Sequence, residues 1–364
     1  MGFTCGIAGL PNVGKSTIFN ALTAAQAPAS NYPFCTIDPN KGIVTVPDER
    51  LFKIAEIIHP PKVTPTTIEF LDIAGLVKGA SHGEGLGNQF LGHIRTVDAI
   101  AHIVRCFTQQ DVSHTYGSLD PKRDVEIVAA ELILADLQTL EKRMEKTSKL
   151  LRVGDKKAGE EMRVCEKLKG WLAEGKPART LQCEDDEQEI VKDLFLLTIK
   201  PVVYVANADE EDLRTKRYLT AVEQIARQEQ AGCVIICGDM ESEIALLENE
   251  EEKSEFMRDL GLKESGLQKL VKAGYELLGL ITFYTTVGPE LRAWTVLKGT
   301  RAPQAAGKIH TDMERGFIKA EVVSYADFIK AGSLTAAKDE GHLRLEGKDY
   351  SIQDGDMVYF KFSS

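Results

Sequence analysis

The 364-residue sequence lacks the features of several protein classes. It has no apolar run near the ~18 residues of a membrane-spanning helix and no basic, then apolar, leader, so we expect neither membrane insertion nor secretion. The seven cysteines form no paired C-x-x-C pattern and no disulfide framework, which favours a reducing cytoplasm. With 44 basic against 55 acidic residues the net charge is −11, which excludes a uniformly basic nucleic-acid binder.

The sequence contains three regions that differ in their pattern of apolar and charged residues. Its length is about twice that of a typical ~150-residue domain. Residues 1–121 and 199–280 alternate β-rich runs with helix-length segments, which predicts an α/β domain with a mostly parallel, doubly wound sheet. Residues 122–198 contain no convincing strand. Residues 281–364 return to short β-rich pieces and predict a small α+β domain.

The middle region carries two apolar stripes. The first alternates spacings of four and three, as in a heptad seam, and the second follows an interruption at Gly154-Asp155. We therefore predict an antiparallel helical hairpin. The dense charge around the stripes favours a projecting coiled coil, and two ordinary core helices are the alternative. The stripes are Ile133, Leu137, Leu140, Met144, Thr147 and Leu151, then Met162, Cys165, Leu168 and Leu172.

A phosphate-binding motif stands near the N-terminus. The run from Gly9 to Ser16 fits G-x-x-x-x-G-K-[ST] between a predicted strand and a predicted helix, the context that this loop requires. Its backbone N–H groups and the helix N-terminus favour phosphate. Lys15 is expected to neutralise the β and γ oxygens and Ser16 to offer a hydroxyl to Mg²⁺. The expected nucleotide-binding residues here are Asn12, Val13, Gly14, Lys15, Ser16 and Thr17.

A second set of residues suits a nucleotide switch. Asp72 and Gly75 form Asp-x-x-Gly at the end of a β-rich run, where the aspartate would hold Mg²⁺ through a water and the Gly75 N–H would meet the γ-phosphate. Thr36 is the candidate for the second hydroxyl on Mg²⁺. The glycine-studded run 79–87 is suited to large backbone changes and predicts a mobile switch segment.

The chain resembles the Obg-type P-loop GTPases and, within them, the YchF or Obg-like ATPase family. The resemblance runs along the whole sequence, through GLPNVGKS, NYPFCTIDPN, DIAGLVKGAS, GEGLGNQF, RAWTVLKGTRAPQAAGKIHTD and GKDYSIQDGD. It implies a G domain with an inserted helical coiled-coil hairpin and a C-terminal TGS domain. It also implies ATP hydrolysis, ribosome association and contact of the TGS domain with RNA.

The base-reading segment departs from the guanine-specific pattern Asn-Lys-x-Asp, whose aspartate accepts two hydrogen bonds from guanine. Here the four residues are Asn207-Ala-Asp-Glu210. Moving the acid onto a longer side chain removes guanine's advantage and adenine's penalty, an effect of about 1.5–3 kcal/mol. We therefore expect ATP to be preferred over GTP, with Asn207 and Glu210 at the base. Asp209, one position early, leaves partial guanine binding open.

The expected hydrolytic residues are Lys15, Gly75 and His114. Ras-like enzymes place a water-orienting glutamine after Asp-x-x-Gly, but this chain has Leu76 there. The resemblance implies that His114, in a loop, replaces it. Lys15, Mg²⁺ and the loop amides would stabilise charge on the γ-phosphoryl group. Asn12 is the residue type that supports K⁺ near the phosphate in related enzymes.

The charge distribution bears on partners. Residues 122–180 hold fourteen basic and eleven acidic residues, a charge of +3, and residues 281–364 hold eleven of each, so the rest carries −14. The helical arm and the C-terminal domain could thus approach rRNA or tRNA on a ribosome or ribosomal subunit. The favoured function is an ATP-hydrolysing switch in translation or stress regulation. A GTPase of the same fold and a nucleotide-loaded binding module with negligible turnover are the alternatives.

Overall fold

The computed structural model describes residues 3–24, 40–73, 75, 86–108, 117–247 and 249–363. The chain divides into two compact units. One comprises Phe3–Gly42 and Glu69–Gly274, and the other comprises Ile43–Ile68 and Tyr275–Ser364. Among the described residues, no helix is both long and apolar enough to cross a membrane.

The described part of the chain alternates strands and helices in its first half and is helix-rich in the middle. The strands are β1 Thr4–Ala8, β2 Lys41–Thr45, β3 Lys62–Thr64, β4 Thr67–Asp72, β5 Ala99–Cys106, β6 Val202–Ala208, β7 Gly232–Ile236, β8 Leu280–Val287, β9 Glu290–Leu297, β10 Phe317–Val323, β11 Arg344–Glu346 and β12 Met357–Phe362. The helices are α1 Lys15–Ala24, α2 Glu49–Ile58, α3 Leu86–Thr96, α4 Pro121–Arg152, α5 Lys156–Ala173, α6 Asp185–Asp193, α7 Glu210–Thr215, α8 Leu219–Gln228, α9 Gly238–Leu246, α10 Glu250–Asp259, α11 Gly266–Leu277, α12 Ala302–Ile309, α13 Thr311–Arg315, α14 Tyr325–Ala331 and α15 Leu334–Asp339.

The first sheet has the order β2-β4-β1-β5-β6-β7. Strand β1 pairs in parallel with β4 and β5, and β5, β6 and β7 continue the parallel ladder. Strands β5 and β6 are buried along their whole length, as expected when helices cover both faces of a parallel sheet. The predicted doubly wound α/β fold is confirmed. Its carboxyl edge, where β1, β5 and β6 end, is the edge at which such sheets bind ligands.

The predicted helical hairpin is confirmed as α4 and α5, which share one apolar core with α6. The first half of α4 buries Val125, Val128 and Leu132 and belongs to the core of the α/β domain. Its second half forms the seam with α5, where Leu140 and Thr147 are buried. The core-helix alternative thus describes the first half of α4, and the coiled-coil prediction describes its second half. The expected last seam residue, Leu151, is instead 38% exposed, because the chain turns just after it.

The second unit is built on a sheet of order β11-β10-β12-β8-β9-β3. Neighbours β8 and β9, β10 and β12, and β10 and β11 are antiparallel, whereas β3 pairs with β9 in parallel. Its helices α12 to α15 complete an α+β architecture, as predicted from the short β-rich pieces.

Residues 43–68 cluster with this second unit, whereas the sequence had placed them in the first domain. Leu51 and Ile54 of α2 pack in one apolar cluster with residues of β8 and β9. The Arg50 guanidinium bridges the carboxylates of Asp48 and Asp354, with Nε and Nη1 donating at 2.9 and 2.7 Å. Apolar packing and paired charges therefore attach this segment to a partner more than two hundred residues away in the chain.

Candidate nucleotide-binding site

The loop between β1 and α1 has the backbone that the phosphate motif requires. Asn12 has φ 61° and Gly14 has φ 91°, both in the left-handed region. Asparagine is among the few non-glycine residues that adopt this conformation readily. At Gly14 a Cβ would also collide with the side-chain amide of Asn207. The loop therefore turns tightly into the N-terminus of α1, which places positive partial charge at its centre.

Lys15 is the first residue of α1 and is only 8% exposed. Its Nζ donates to the carbonyl oxygen of Leu10 at 2.7 Å. Burial lowers the pKa of Lys15 to about 8, and the nearby Asp72 carboxylate offsets part of that shift. Because a buried ammonium is costly, an anion placed beside it regains electrostatic free energy. The geometry suits a phosphate oxygen.

Gly75 lies against this lysine and the loop. A Cβ added to Gly75 would lie 3.1 Å from the Lys15 Nζ and 3.2 Å from the backbone nitrogen of Pro11. A Cβ at these distances would be tighter than nine in ten real Cβ contacts, so glycine allows the close approach without a shift of its neighbours. The structure thus brings together Gly75 and Lys15, two of the three expected hydrolytic residues.

Asp72 ends β4 beside Ser16. The Ser16 hydroxyl and Asp72 Oδ2 are 3.4 Å apart, which is long for a hydrogen bond between two oxygens. Asp72 Oδ1 is buried and has no hydrogen-bond partner among the described residues. Burial raises the pKa of Asp72, while Lys15 and Ser16 act in the opposite direction.

This pair of oxygen donors fits Mg²⁺. A hard cation beside Asp72 would satisfy the orphaned oxygen and favour the charged carboxylate. Among the described residues no cluster of three or more His, Cys, Asp or Glu side chains could hold a metal ion. Phosphate-loop sites do not need one, because nucleotide phosphates and waters complete the magnesium shell.

A cavity of about 280 Å³ extends from these residues along the carboxyl edge of the sheet. Its phosphate end is formed by the loop and α1, and its far end by residues that follow β5, β6 and β7. A cavity of this size approaches the range of small-molecule sites. It is lined by Asn12, Gly14, Lys15, Ser16, Thr17, Phe107, Asn207, Ala208, Asp209, Gly238 and Asp239.

Asn207 joins the two loops at the base end of the cavity. Its Nδ2 donates to the carbonyl oxygen of Val13, and its Oδ1 accepts from the backbone N–H of Gly238, both at 3.0 Å. The side chain is 4% exposed. Asn207 therefore positions the phosphate loop against the start of α9. Direct contact of its second Nδ2 hydrogen with a base stays a prediction.

Asp209 and Glu210 differ from each other in position and in partners. Asp209 caps α7: its Oδ1 accepts from the N–H of Asp212 at 2.8 Å, and its Oδ2 accepts from the N–H of Thr108 at 2.9 Å. Both oxygens are thus committed to backbone groups. Glu210 opens α7, is exposed and is not among the residues that line the cavity. Sequence reasoning placed Glu210 at the base, whereas Asp209 lines the cavity.

Arg105 and Phe107 were missed from the sequence. Arg105 is 4% exposed at the end of β5, and its guanidinium carbon lies 4.4 Å from the centre of the Phe107 ring, which lines the cavity. Its Nε donates to the carbonyl oxygen of Phe107 at 3.2 Å, and an Nη points to that of Asn12 at 3.5 Å. A charged residue inside an otherwise apolar strand is the signal that could have revealed it.

Thr36, Leu76 and His114 lie outside the described residues, as does most of the glycine-rich run 79–87. What the sequence predicts for them therefore stays a prediction. Thr36 is the candidate for the second hydroxyl on Mg²⁺, His114 for the residue that replaces the glutamine absent at Leu76, and the glycine-rich run for a switch segment.

Comparisons with known proteins agree on one family. A family model described as a 50S ribosome-binding GTPase matches residues 4–152, and a model of the YchF GTPase C-terminal domain, described as a protein of unknown function (DUF933), matches residues 280–363. The curated "Ribosome-binding ATPase YchF" of Bacillus subtilis is 51% identical over 366 residues, and that of Escherichia coli O157:H7 is 49% identical over 363. Each match covers 100% of both chains.

Solved structures give the same result. The YchF GTPase of Schizosaccharomyces pombe superposes with a TM-score of 0.89 at 37% identity, covering 99% of this chain and 97% of that one. A GTP binding protein from Pyrococcus horikoshii OT3 has a TM-score of 0.62 at 18% identity, covering 99% of this chain and 100% of that one, and supports the fold alone.

Proposed function

Since the chain belongs to the YchF family, we propose that it is a ribosome-binding ATPase whose nucleotide state controls its docking. The observation that carries the proposal is the cavity that joins the phosphate loop and its buried Lys15 to a wall suited to a base. We infer that it acts in translation or stress regulation in the cytoplasm.

The chain's own residues supply most of the electrostatic work of hydrolysis. Lys15 and the N–H groups of the loop hold the phosphates and stabilise the charge that develops as water attacks the γ-phosphorus. Gly75, beside Lys15, allows its N–H to approach the γ-phosphate. Ser16 and Thr36 would hold a magnesium ion through their hydroxyls, and Asp72 would hold it through a water. When bound, Mg²⁺ neutralises charge on the phosphate oxygens.

We expect ATP to be preferred over GTP. Both Asp209 oxygens already accept backbone hydrogen bonds, and Glu210 is exposed away from the cavity. Neither carboxylate is therefore placed to accept the two hydrogen bonds that guanine offers. Dissociation constants for ATP and GTP, measured side by side, should differ at least about tenfold in favour of ATP. Equal constants would instead favour a GTPase of the same fold.

Two further roles complete the proposal. His114 orients the attacking water in place of a glutamine, so His114→Ala should lower turnover and leave the ATP dissociation constant nearly unchanged; unaltered turnover would reject the role.

K⁺ binds near Asn12, whose side chain is exposed at the phosphate end of the cavity. Replacing K⁺ by Na⁺ at constant ionic strength should therefore slow hydrolysis.

The C-terminal unit and the helical hairpin below its turn are the surfaces proposed to meet ribosomal RNA or tRNA, since the acidic excess lies elsewhere in the chain.

Single-turnover hydrolysis with and without purified ribosomes tests the whole proposal. We expect phosphate release in both conditions and faster release with ribosomes. No release in either condition would identify a binding module that holds ATP as a structural ligand.

A further inference from the structure

The turn between α4 and α5 exposes three large aliphatic side chains within four consecutive positions of the chain. Leu150 is 48% exposed, Leu151 38% and Val153 79%. We define the arm tip as residues 146–157. Counting 1.5 Å per residue, the end of α4 lies about 24 Å beyond Asp136, the deepest buried polar residue of that helix.

The turn itself does not require these residues. Gly154 has φ 86°, and Asp155 caps α5 by accepting from the N–H groups of Lys157 and Ala158 at 2.9 and 3.4 Å. These two residues define the turn. Val153 only supplies a backbone N–H to the carbonyl oxygen of Leu150, which any non-proline residue could do. Leu151 also packs towards α5, since a Cβ added to Gly159 would lie 3.8 Å from its Cδ2. Turn geometry leaves the exposed aliphatic surface of all three residues unexplained.

A polar clamp at the base of the arm tip holds the two helices in fixed register. Arg143 donates through Nε and an Nη to the two oxygens of Glu161 at 2.6 and 3.0 Å. Thr147, which is 1% exposed, donates to the same carboxylate at 2.5 Å. The tip is thus a preorganised surface, which lowers the entropic cost of docking.

Basic residues surround the aliphatic cluster. The arm tip contains five basic residues against the single acid Asp155, a formal charge of +4 in a chain of −11. Lys146, Lys149, Arg152 and Lys157 are all exposed. Protein interfaces usually have an apolar centre and a polar or charged rim. Because the charge of this rim is positive, it favours a partner with an acidic surface.

The apolar centre favours protein over RNA. Proteins that grip unpaired bases use aromatic rings for stacking. Residues 141–160 contain no Phe, Tyr, Trp or His. Leucine and valine have no such use on a phosphate backbone, whereas they fill apolar depressions on proteins.

We propose that the arm tip docks on an acidic, apolar-lined surface of a ribosomal protein. The proposal rests on the proposed ribosome binding and deepens it. Three side chains cover far less than the ~800 Å² that each partner contributes to a stable interface. The tip therefore acts as one of at least two attachments, whose combined avidity exceeds either alone.

Photo-crosslinking on the full-length protein gives the most direct test. A photoreactive phenylalanine analogue replaces Val153 in one variant and Leu246 in a control, since Leu246 is equally exposed, at 80%, and lies off the arm. Each is illuminated with purified ribosomes and a non-hydrolysable ATP analogue. We expect a protease-sensitive adduct with a ribosomal protein from position 153 only. A ribonuclease-sensitive adduct would overturn the proposal.

Cosedimentation measures the contribution of the cluster. The triple variant L150S/L151S/V153S should bind ribosomes at least about tenfold more weakly, whereas the matched control L246S/L260S, at two exposed leucines off the arm, should bind like wild type. Equal helicity and ATP affinity check that the variants fold. A variant K146Q/K149Q/R152Q should also bind more weakly, with a shallower dependence on salt.

The outcomes separate the two proposals. If wild type binds ribosomes and the triple variant binds equally well, only the docking of the tip is wrong. If wild type does not bind ribosomes under any nucleotide condition, the proposed function fails, and the tip docking fails with it.

Discussion

Two aspartates of the α/β unit show how differently this fold treats buried carboxylate oxygens at its cavity and at the root of its helical arm. Asp136 of α4 is 0% exposed and accepts from the N–H groups of Leu197 and Thr198 and from the Thr198 hydroxyl, at 2.7, 2.8 and 2.6 Å. Asp72, at the cavity, has one buried oxygen without a partner among the described residues. Burial raises the pKa of both.

The contrast separates scaffold from site. A buried carboxylate that is fully hydrogen-bonded within the protein fixes one arrangement of the chain, here the root of the arm. A buried oxygen left without a partner is costly, and beside a phosphate loop and the Ser16 hydroxyl it suits a metal ion. Stability and activity should therefore respond in opposite ways at the two positions.

The largest expected effect is on stability, from Asp136→Ala. The substitution leaves the N–H groups of Leu197 and Thr198 buried without their acceptor, at about 1–3 kcal/mol each. We expect the free energy of unfolding to fall by about 3–5 kcal/mol, measured by urea denaturation. Asp136→Asn keeps one acceptor oxygen and should cost about half as much. A loss below about 1 kcal/mol would show that the arm root does not depend on this carboxylate.

Asp72→Asn should have the opposite profile. Turnover at saturating ATP should fall about 10²-fold, because the neutral amide holds the magnesium site poorly, and half-maximal activity should need more Mg²⁺. The free energy of unfolding should stay within about 0.5 kcal/mol of wild type, since no internal hydrogen-bond network is broken. Single-turnover kinetics, a Mg²⁺ titration and urea denaturation check this. Normal turnover with lower stability would assign Asp72 to the scaffold.

The parts that sequence reasoning predicted are those that short-range patterns encode. The phosphate loop follows from the spacing of its motif, and strands β5 and β6 follow from their apolar runs. The seam from Ile133 to Thr147 follows from its alternating spacings of four and three. What was missed depends on distant partners. Strand β3 has three residues and acquires its place by pairing with β9, so nothing local marks it. Likewise, the sequence left Asp209 open as a partial guanine contact, whereas its oxygens accept from the N–H groups of Asp212 and of the distant Thr108.

His102 extends the comparison to a buried titratable group that does not line the nucleotide cavity. It is 6% exposed on β5, with its ring centre 5.5 Å from that of Tyr204. Burial lowers its pKa to about 3, with Arg179 and then Lys15 adding to the shift.

The sign of the pH effect follows from proton binding. Between about pH 6.5 and 3 the unfolded chain protonates this histidine and the folded chain does not, so acid favours unfolding. His102 should therefore remove about 1.4 kcal/mol of stability per pH unit below 6.5. Because the unfolded histidine is only half protonated at pH 6.5, the wild-type slope averaged from pH 6.5 to 5 should exceed that of His102→Gln by about 1 kcal/mol per pH unit, whatever the variant's absolute stability. Parallel slopes would mean that His102 is protonated in the folded protein.

The smallest expected effect tests whether the cavity wall is itself part of the scaffold. Arg105→Lys keeps a positive charge near the Asp124 carboxylate of α4 but loses the flat guanidinium that lies on Phe107. Such a contact is worth about 0.5–1 kcal/mol, so ATP should bind about two- to fivefold more weakly by calorimetry. Arg258→Lys, at a side chain that is 74% exposed, is the matched control and should change nothing. An unchanged ATP dissociation constant together with a lower melting temperature would place Arg105 with Asp136 as a purely structural residue, and the wall formed by Phe107 would then be held by the fold rather than by this cation.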